Sequence, residues 1–216
     1  TGYGPQPIYQ PLPSQDGMTR IVGGPTALIE TLCARVGSNN IRTNTLVTEV
    51  CEHEADKVAI RLNTDEIIAA HKVIMAIPLR VAATTLHLPW AAQSLLETMR
   101  NTPTWMSTHA KTVVLYERPF WRELGLSGRV ASQTGPLVEV HDHTSADMQS
   151  AALFGFVGWP AAQRQSAPKQ LQQKILKQLS DCFGDAAANP FDLVIQDWAL
   201  NTHIVTDLAL SGTQQH

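Results

Sequence analysis

One stretch constrains the fold more than any other. Between residues 168 and 183, Leu171, Ile175, Leu176, Leu179 and Cys182 recur at helical spacing behind Pro168. Apolar residues three and four apart share one helix face, and that face must be buried against another element. On either side the pattern becomes strand-like, at 153–157 and again at 193–198, which predicts a helix laid on a sheet. Further strands are predicted at 112–117 and 137–141, and a helix over 90–100 places Leu95, Leu96 and Met99 on one side. The second half therefore predicts an α+β arrangement, a mixed β-sheet of about four to six strands flanked by helices.

The first half has a different texture. Residues 1–17 are rich in Gly, Pro, Gln and Ser and are expected to form an extended, poorly ordered lead-in. Pro25 suits the first turn of a helix, Leu28, Ile29, Leu32, Cys33 and Val36 follow at helical spacing, and Gly37 supplies a stop. Alternation through Val47, Glu49 and Cys51 and through Val58, Ile60 and Leu62 predicts a hairpin, with a short third strand at 67–70. The nearly continuous apolar run 72–77, ended by Pro78, predicts a strand buried on both faces. This divides the chain into a lead-in at 1–19, a small layer of strands and one helix at 20–78, a larger sheet-and-helix piece at 79–199 and a weakly patterned tail at 200–216.

Composition removes several classes of function. The 216 residues are 44% apolar and 16% charged, enough to enclose a real core. Sixteen basic against nineteen acidic residues, a net charge of −3, argue against nucleic-acid binding. Cys33, Cys51 and Cys182 show no CxxC spacing and read as buried, reduced thiols rather than a disulfide framework. No apolar run approaches the roughly 18 residues of a membrane span, and the beginning has no apolar signal region. A soluble, cytoplasmic chain with no membrane partner is expected.

Few constellations survive comparison with plainer explanations. Gly23-Gly24 before a helix could offer amides to an anion, but an ordinary helix start is commoner. Gly2-Tyr3-Gly4 begins like a dinucleotide fingerprint and fails at Pro7. His141 and His143, two apart on a strand, share a face and invite a metal, yet no matching third ligand stands out, so no metal site is expected. The stretch from Gly125 to Gly128 fails the nucleophile-elbow pattern, which weakens any hydrolase reading. Lys111 opens the apolar strand Thr112-Val-Val-Leu-Tyr116, where burial would make an amine tunable; a solvated strand-edge lysine is the plainer reading. Trp121 and Trp198 would ordinarily be core or interface aromatics.

Taken in order, several segments resemble the flavin-dependent amine oxidase family, which includes monoamine, polyamine and L-amino-acid oxidases. They are Arg20-Ile-Val-Gly-Gly24 plus helix, Thr45-Leu-Val-Thr-Glu-Val50 and Val73-Ile-Met-Ala-Ile-Pro78. Then follow Lys111-Thr-Val-Val-Leu-Tyr-Glu-Arg-Pro-Phe-Trp121, Leu126-Ser-Gly128, Leu153-Phe-Gly-Phe156 and Gln196-Asp-Trp198. The lysine eight residues ahead of Pro-Phe-Trp is the most specific part.

The resemblance implies that 20–78 belongs to a discontinuous FAD-binding domain and 79–199 to a substrate-binding domain. Val47 matches the position whose backbone meets the adenine end of FAD, and Ala76 and Pro78 would lie near the flavin. Lys111 matches the family lysine that holds a water beside the flavin N5, and Trp198 a tryptophan packed near the isoalloxazine. The implied reaction is oxidation of an amine C–N bond with hydride-equivalent transfer to FAD and reoxidation by O₂, the cofactor carrying the chemistry. Two family features are missing: the GxGxxG that holds the pyrophosphate and the last flavin-contacting segment. The chain thus reads as an internal fragment, expected to be inactive and to bind FAD weakly or not at all by itself, whose flavin-facing surface would let it pair with itself. Ala27 stands where some amine oxidases carry a polar substrate-facing residue, so the identity of the amine does not transfer. The rival readings are a non-catalytic binding module of the same fold and a related flavin desaturase or protoporphyrinogen-type oxidase.

Overall fold

The computed structural model describes residues 21–54, 56–145 and 147–206. The expected lead-in at 1–19 and the part of the expected tail beyond 206 lie outside them. The chain forms two compact units, built on Thr108–Leu200 and on Arg20–Ser107.

In the unit of Thr108–Leu200, β4 (Ala110–Tyr116) runs between β7 (Ala151–Val157) and β8 (Asp192–Asp197), with β6 (Leu137–Asp142) and the short β5 (Val130–Ala131) beyond β7. Every strand pairing is antiparallel. The α+β class expected from the sequence stands, with antiparallel sheets. β4 alternates strictly. Ala110, Thr112, Val114 and Tyr116 are buried, whereas Lys111, Val113 and Leu115 are less so. The buried face meets the helix that dominates the sequence pattern, α6 (Pro168–Phe183), which lays Leu171, Ile175, Leu179 and Phe183 into the core. Two shorter helices, α4 (Phe120–Glu123) and α5 (Ala161–Ser166), complete the unit.

Trp121 is fully buried and meets Tyr116 and Phe120 edge to face, at centroid distances of 5.7 and 5.1 Å. Such edge contacts add to the area that aromatic rings bury. Two buried polar side chains in this core are fully engaged, which avoids the cost of an unmade hydrogen bond. The Tyr116 hydroxyl donates to the Ala187 carbonyl at 2.9 Å, and burial pushes its pKa well up, so it stays a neutral donor. The Gln178 amide accepts from the Leu137 N–H and donates to the Leu137 and Thr134 carbonyls, each at 2.8 Å. One polar side chain on α6 thereby fixes the turn leading into β6.

The unit of Arg20–Ser107 holds a three-stranded antiparallel sheet of β1 (Val47–His53), β2 (Lys57–Leu62) and β3 (Ile67–Ala70). Its core gathers Val50 with Ala82 and Ala83 of α2 (Leu79–Thr85), Leu88, and Met99 of α3 (Gln93–Asn101). The segment around His87 is bonded beside β1, through Val50 N–H to the His87 carbonyl and His87 N–H to the Thr48 carbonyl. Compact packing therefore runs past Pro78 to residue 107.

The first helix, α1 (Gly24–Val36), forms with Pro25 in its first turn and is stopped at Gly37, whose φ of 86° favours glycine. None of its residues is buried, and Leu28, Ile29, Leu32 and Val36 are exposed. One expectation fails outright. Residues 72–77 form no strand, and Ile74 is 92% exposed, with Ile77 exposed as well. A strand buried on both faces needs neighbours to complete its ladder and cover it, and among the described residues none pairs with this run. Of the three cysteines, Cys33 is exposed and Cys51 and Cys182 are half-buried, so none is the fully buried thiol expected. Among the described residues no helix is long and apolar enough to cross a membrane.

Candidate functional site

The sheet face turned away from α6 holds the candidate residue Lys111. Strand register puts Glu139, Phe156, Lys111 and Gln196 in one row across β6, β7, β4 and β8, and His141, Phe154, Val113 and Val194 in the next. Side chains two apart on a strand share a face, and the contacts follow. Glu139 Oε2 lies 3.2 Å from His141 Nε2, and the His141 ring is 6.2 Å from Phe154. Phe154 meets Phe156 edge to face at 4.9 Å, and Lys111 Nζ sits over the Phe156 ring, 5.5 Å from its centroid. A continuous line of contacts thus joins a carboxylate on β6 to an ammonium on β4 through the rings of His141, Phe154 and Phe156. Lys111 is half-buried and has no hydrogen-bond or carboxylate partner among the described residues. The face of an aromatic ring attracts a cation electrostatically, so Phe156 holds the ammonium without neutralising it.

Trp198 lies at the same end of β4. It opens a short 3₁₀ turn after β8, and its N–H donates to the carbonyl of His109, two residues before Lys111. Buried Arg164, from α5, clasps this end. Its Nε and Nη2 grip the two oxygens of Asp197 at 2.8 and 2.7 Å, Nη2 also donates to the Thr108 carbonyl at 2.7 Å, and Nη1 donates to the Trp159 carbonyl. A planar guanidinium can hold a carboxylate with two parallel bonds, which fixes orientation as well as distance. Arg164 therefore ties the residue before Trp198 to the approach of β4.

Asp142 lies beyond His141 on β6. Burial pushes its carboxyl up, but the Arg122 guanidinium at 2.6 Å, the Trp121 indole N–H at 2.9 Å and the Thr144 N–H at 2.8 Å outweigh that. They hold it below the usual carboxylate range. Asp142 is a structural acceptor. His141 and His143 do share a face, as their spacing requires, but Phe154 lies against both rings. No group of three or more potential metal ligands exists among the described residues.

Of the residues singled out in the sequence, Lys111 and Trp198 are brought to one end of one strand pair. Val47, at the start of β1, and Ala76 and Pro78, in the irregular segment before α2, belong to the other unit. Ala76 is exposed and Val47 and Pro78 are half-buried. Glu139 and His141 escaped notice as neighbours of Lys111, because only the register of three strands makes them so. The alternation of Leu153-Phe-Gly-Phe156 was the available signal, since it puts both phenylalanines on one face.

A family model described as flavin containing amine oxidoreductase matches residues 9–214. The chain belongs to this family. Among curated members it is 24% identical over 181 residues to a probable flavin-containing monoamine oxidase A of Dictyostelium discoideum, covering 83% of this chain and 39% of that protein. It is 25% identical over 189 residues to a putrescine oxidase of Kocuria rosea, covering 79% and 38%. Among solved structures, putrescine oxidase bound to putrescine superposes with a TM-score of 0.73 at 22% identity, over 85% of this chain and 40% of that one. Cyclohexylamine oxidase from Brevibacterium oxydans gives a TM-score of 0.73 at 21% identity, over 88% and 40%. These structural likenesses establish the fold. The chain spans about two fifths of the length of the relatives it matches.

The residues present suit a flavin. Lys111 is an ammonium without a carboxylate, and Trp198 shares its end of the strand pair. In the other unit, an exposed apolar run flanks Ala76 and Pro78.

Proposed function

We propose that this chain is the substrate-sheet portion of a FAD-dependent amine oxidase, active only when joined to the segments that hold the flavin. In this reading 20–78 contributes to the flavin-binding domain and 79–199 forms the substrate-binding domain. When bound, FAD would supply the two-electron redox chemistry by which an amine, O₂ and water become a carbonyl compound, ammonia and hydrogen peroxide. The chain's own residues bind and orient. Val47, Ala76, Pro78 and Trp198 would contact the cofactor, and Phe154 and Phe156 would form an apolar wall for the substrate. Lys111 would hold a water at its ammonium beside the reacting centre. The observation that carries this reading is the half-buried Lys111 ammonium, held over Phe156 at the Trp198 end of β4.

The test is flavin content and turnover with and without the flanking coding sequence. The 216-residue chain alone should purify colourless. The longer product should carry a flavin absorbance band and release peroxide with amines. Stoichiometric FAD on the isolated chain would contradict the division of labour, and turnover of a non-amine instead of any amine would contradict the reaction.

A further inference from the structure

The Arg164–Asp197 pair is a charged contact withdrawn from water, with the two side chains 4% and 10% exposed. A buried ion pair gains little or no stability over apolar side chains of the same volume, so what this one holds in place matters more than what it stabilises. What it holds lies around Lys111 and Trp198. In the register of β4 with β8, Gln196 stands opposite Lys111 and Asp197 opposite fully buried Ala110. Residues alternate between the two faces of a strand, so Arg164 acts from the packed face while Lys111 occupies the other.

The clasp closes around the Trp198 backbone. The guanidinium grips both oxygens of Asp197 and the carbonyls of Thr108, just ahead of β4, and Trp159, just beyond β7. Asp197 Oδ1 also accepts from the Ala199 N–H at 3.1 Å, and the Trp198 N–H donates to the His109 carbonyl at 3.0 Å. Trp198 is therefore anchored at its own N–H and at the one that follows it. The first anchor is the residue after a carbonyl that Arg164 grips; the second is a carboxylate oxygen that Arg164 grips.

We propose that Arg164 is a positioning residue for the flavin side of this site, fixing Trp198 and Lys111 relative to each other through Asp197 and the entry to β4. This rests on the amine-oxidase reading above and adds to it a residue from the packed face of the sheet. Lysine does not replace it, because an ammonium has no planar fork to grip both carboxylate oxygens and reach two carbonyls as well.

Two variants test it, each read below its own unfolding transition: Arg164→Lys keeps the charge, and Asp197→Asn keeps the shape of the partner. In the 216-residue chain labelled with fluorotryptophan, the fluorine resonances of Trp198 and Trp121 are identified by their loss in Trp198→Phe and Trp121→Phe. Both test variants should shift or broaden the Trp198 resonance and leave that of Trp121, in the core, in place. In the flavin-loaded full-length protein, both should slow the limiting rate of anaerobic flavin reduction by amine about a hundredfold, the scale of a small misplacement at the reacting centre. The amine concentration at half-saturation should change little. An unmoved Trp198 resonance, or a wild-type limiting rate in both variants, overturns the positioning role and leaves the oxidase reading intact. Movement of Trp121 together with Trp198, or loss of the fold in both variants, makes the clasp a general support of the unit and overturns the role as well. Failure of every amine to reduce the wild-type flavin overturns the oxidase reading and this role with it.

Discussion

Gly128 shows how tightly single positions are specified around this sheet. Its φ is +69°, and a Cβ there would stand 2.7 Å from Asp142 Cβ and 2.8 Å from Trp121 Nε1. It can be neither twisted nor enlarged without disturbing the Trp121–Asp142 bond. Gly128→Ala should destabilise the protein by about 1–3 kcal/mol, combining left-handed strain with overpacking, read as a lower urea midpoint at an unchanged m-value. Asp142 sets a pH dependence. Its folded pKa lies below the unfolded value, so its stabilisation is complete above the ordinary carboxylate range and is lost as pH falls through the folded value. Asp142→Asn should flatten that acid limb in thermal melts from neutral to acid pH; an unaltered slope would assign the limb elsewhere. At this scale Lys111 was legible, because a lysine opening an apolar strand is unusual and its distance to Pro-Phe-Trp is specific. Glu139 was not, because an exposed glutamate in an alternating strand looks like any solvated strand residue until β7 sets it beside Phe156.

Elements were legible where one periodic face meets one partner. The pattern of α6 placed Leu171, Ile175 and Leu179 in the core without reference to any other part of the chain. Leu179→Ala should cost about 2–5 kcal/mol, the usual range for removing a fully buried leucine side chain, measured as equilibrium unfolding of the whole chain. A loss below about 1 kcal/mol, well under the range that burial predicts, would show that the face is loosely packed. The run 72–77 was misread for an instructive reason. Its composition demands burial, but burial of an inner strand comes from neighbours. Here Ile74 and Ile77 stay exposed, as do the apolar positions of α1. Both segments carry apolar faces without cover among the described residues, and scattered exposed apolar side chains become informative when they are contiguous. Short elements such as α4 and β5 have too few residues to express a period, so the sequence did not anticipate them.

For the molecule as a whole, length and composition suggested a self-sufficient domain, whereas the family match spans only about two fifths of the length of its curated relatives. The antiparallel sheet presents one face to α6 and the other, with Lys111 and its aromatic neighbours, outward. That division between a packed side and a chemical side is how folds host sites. Lys111 is also where the proposed chemistry is most exposed to experiment. The most direct measurement is anaerobic reduction of the flavin by an amine in the full-length protein, followed by readmission of oxygen, for wild type and Lys111→Met. Wild-type flavin should bleach with amine and recover with oxygen. Lys111→Met should keep its flavin and slow at least one half-reaction by about a hundredfold or more, within the range attributed to a positioned group acting at the reacting centre. Unchanged rates in both half-reactions would contradict the role given to Lys111, and a flavin that no amine bleaches would contradict the amine-oxidase function itself.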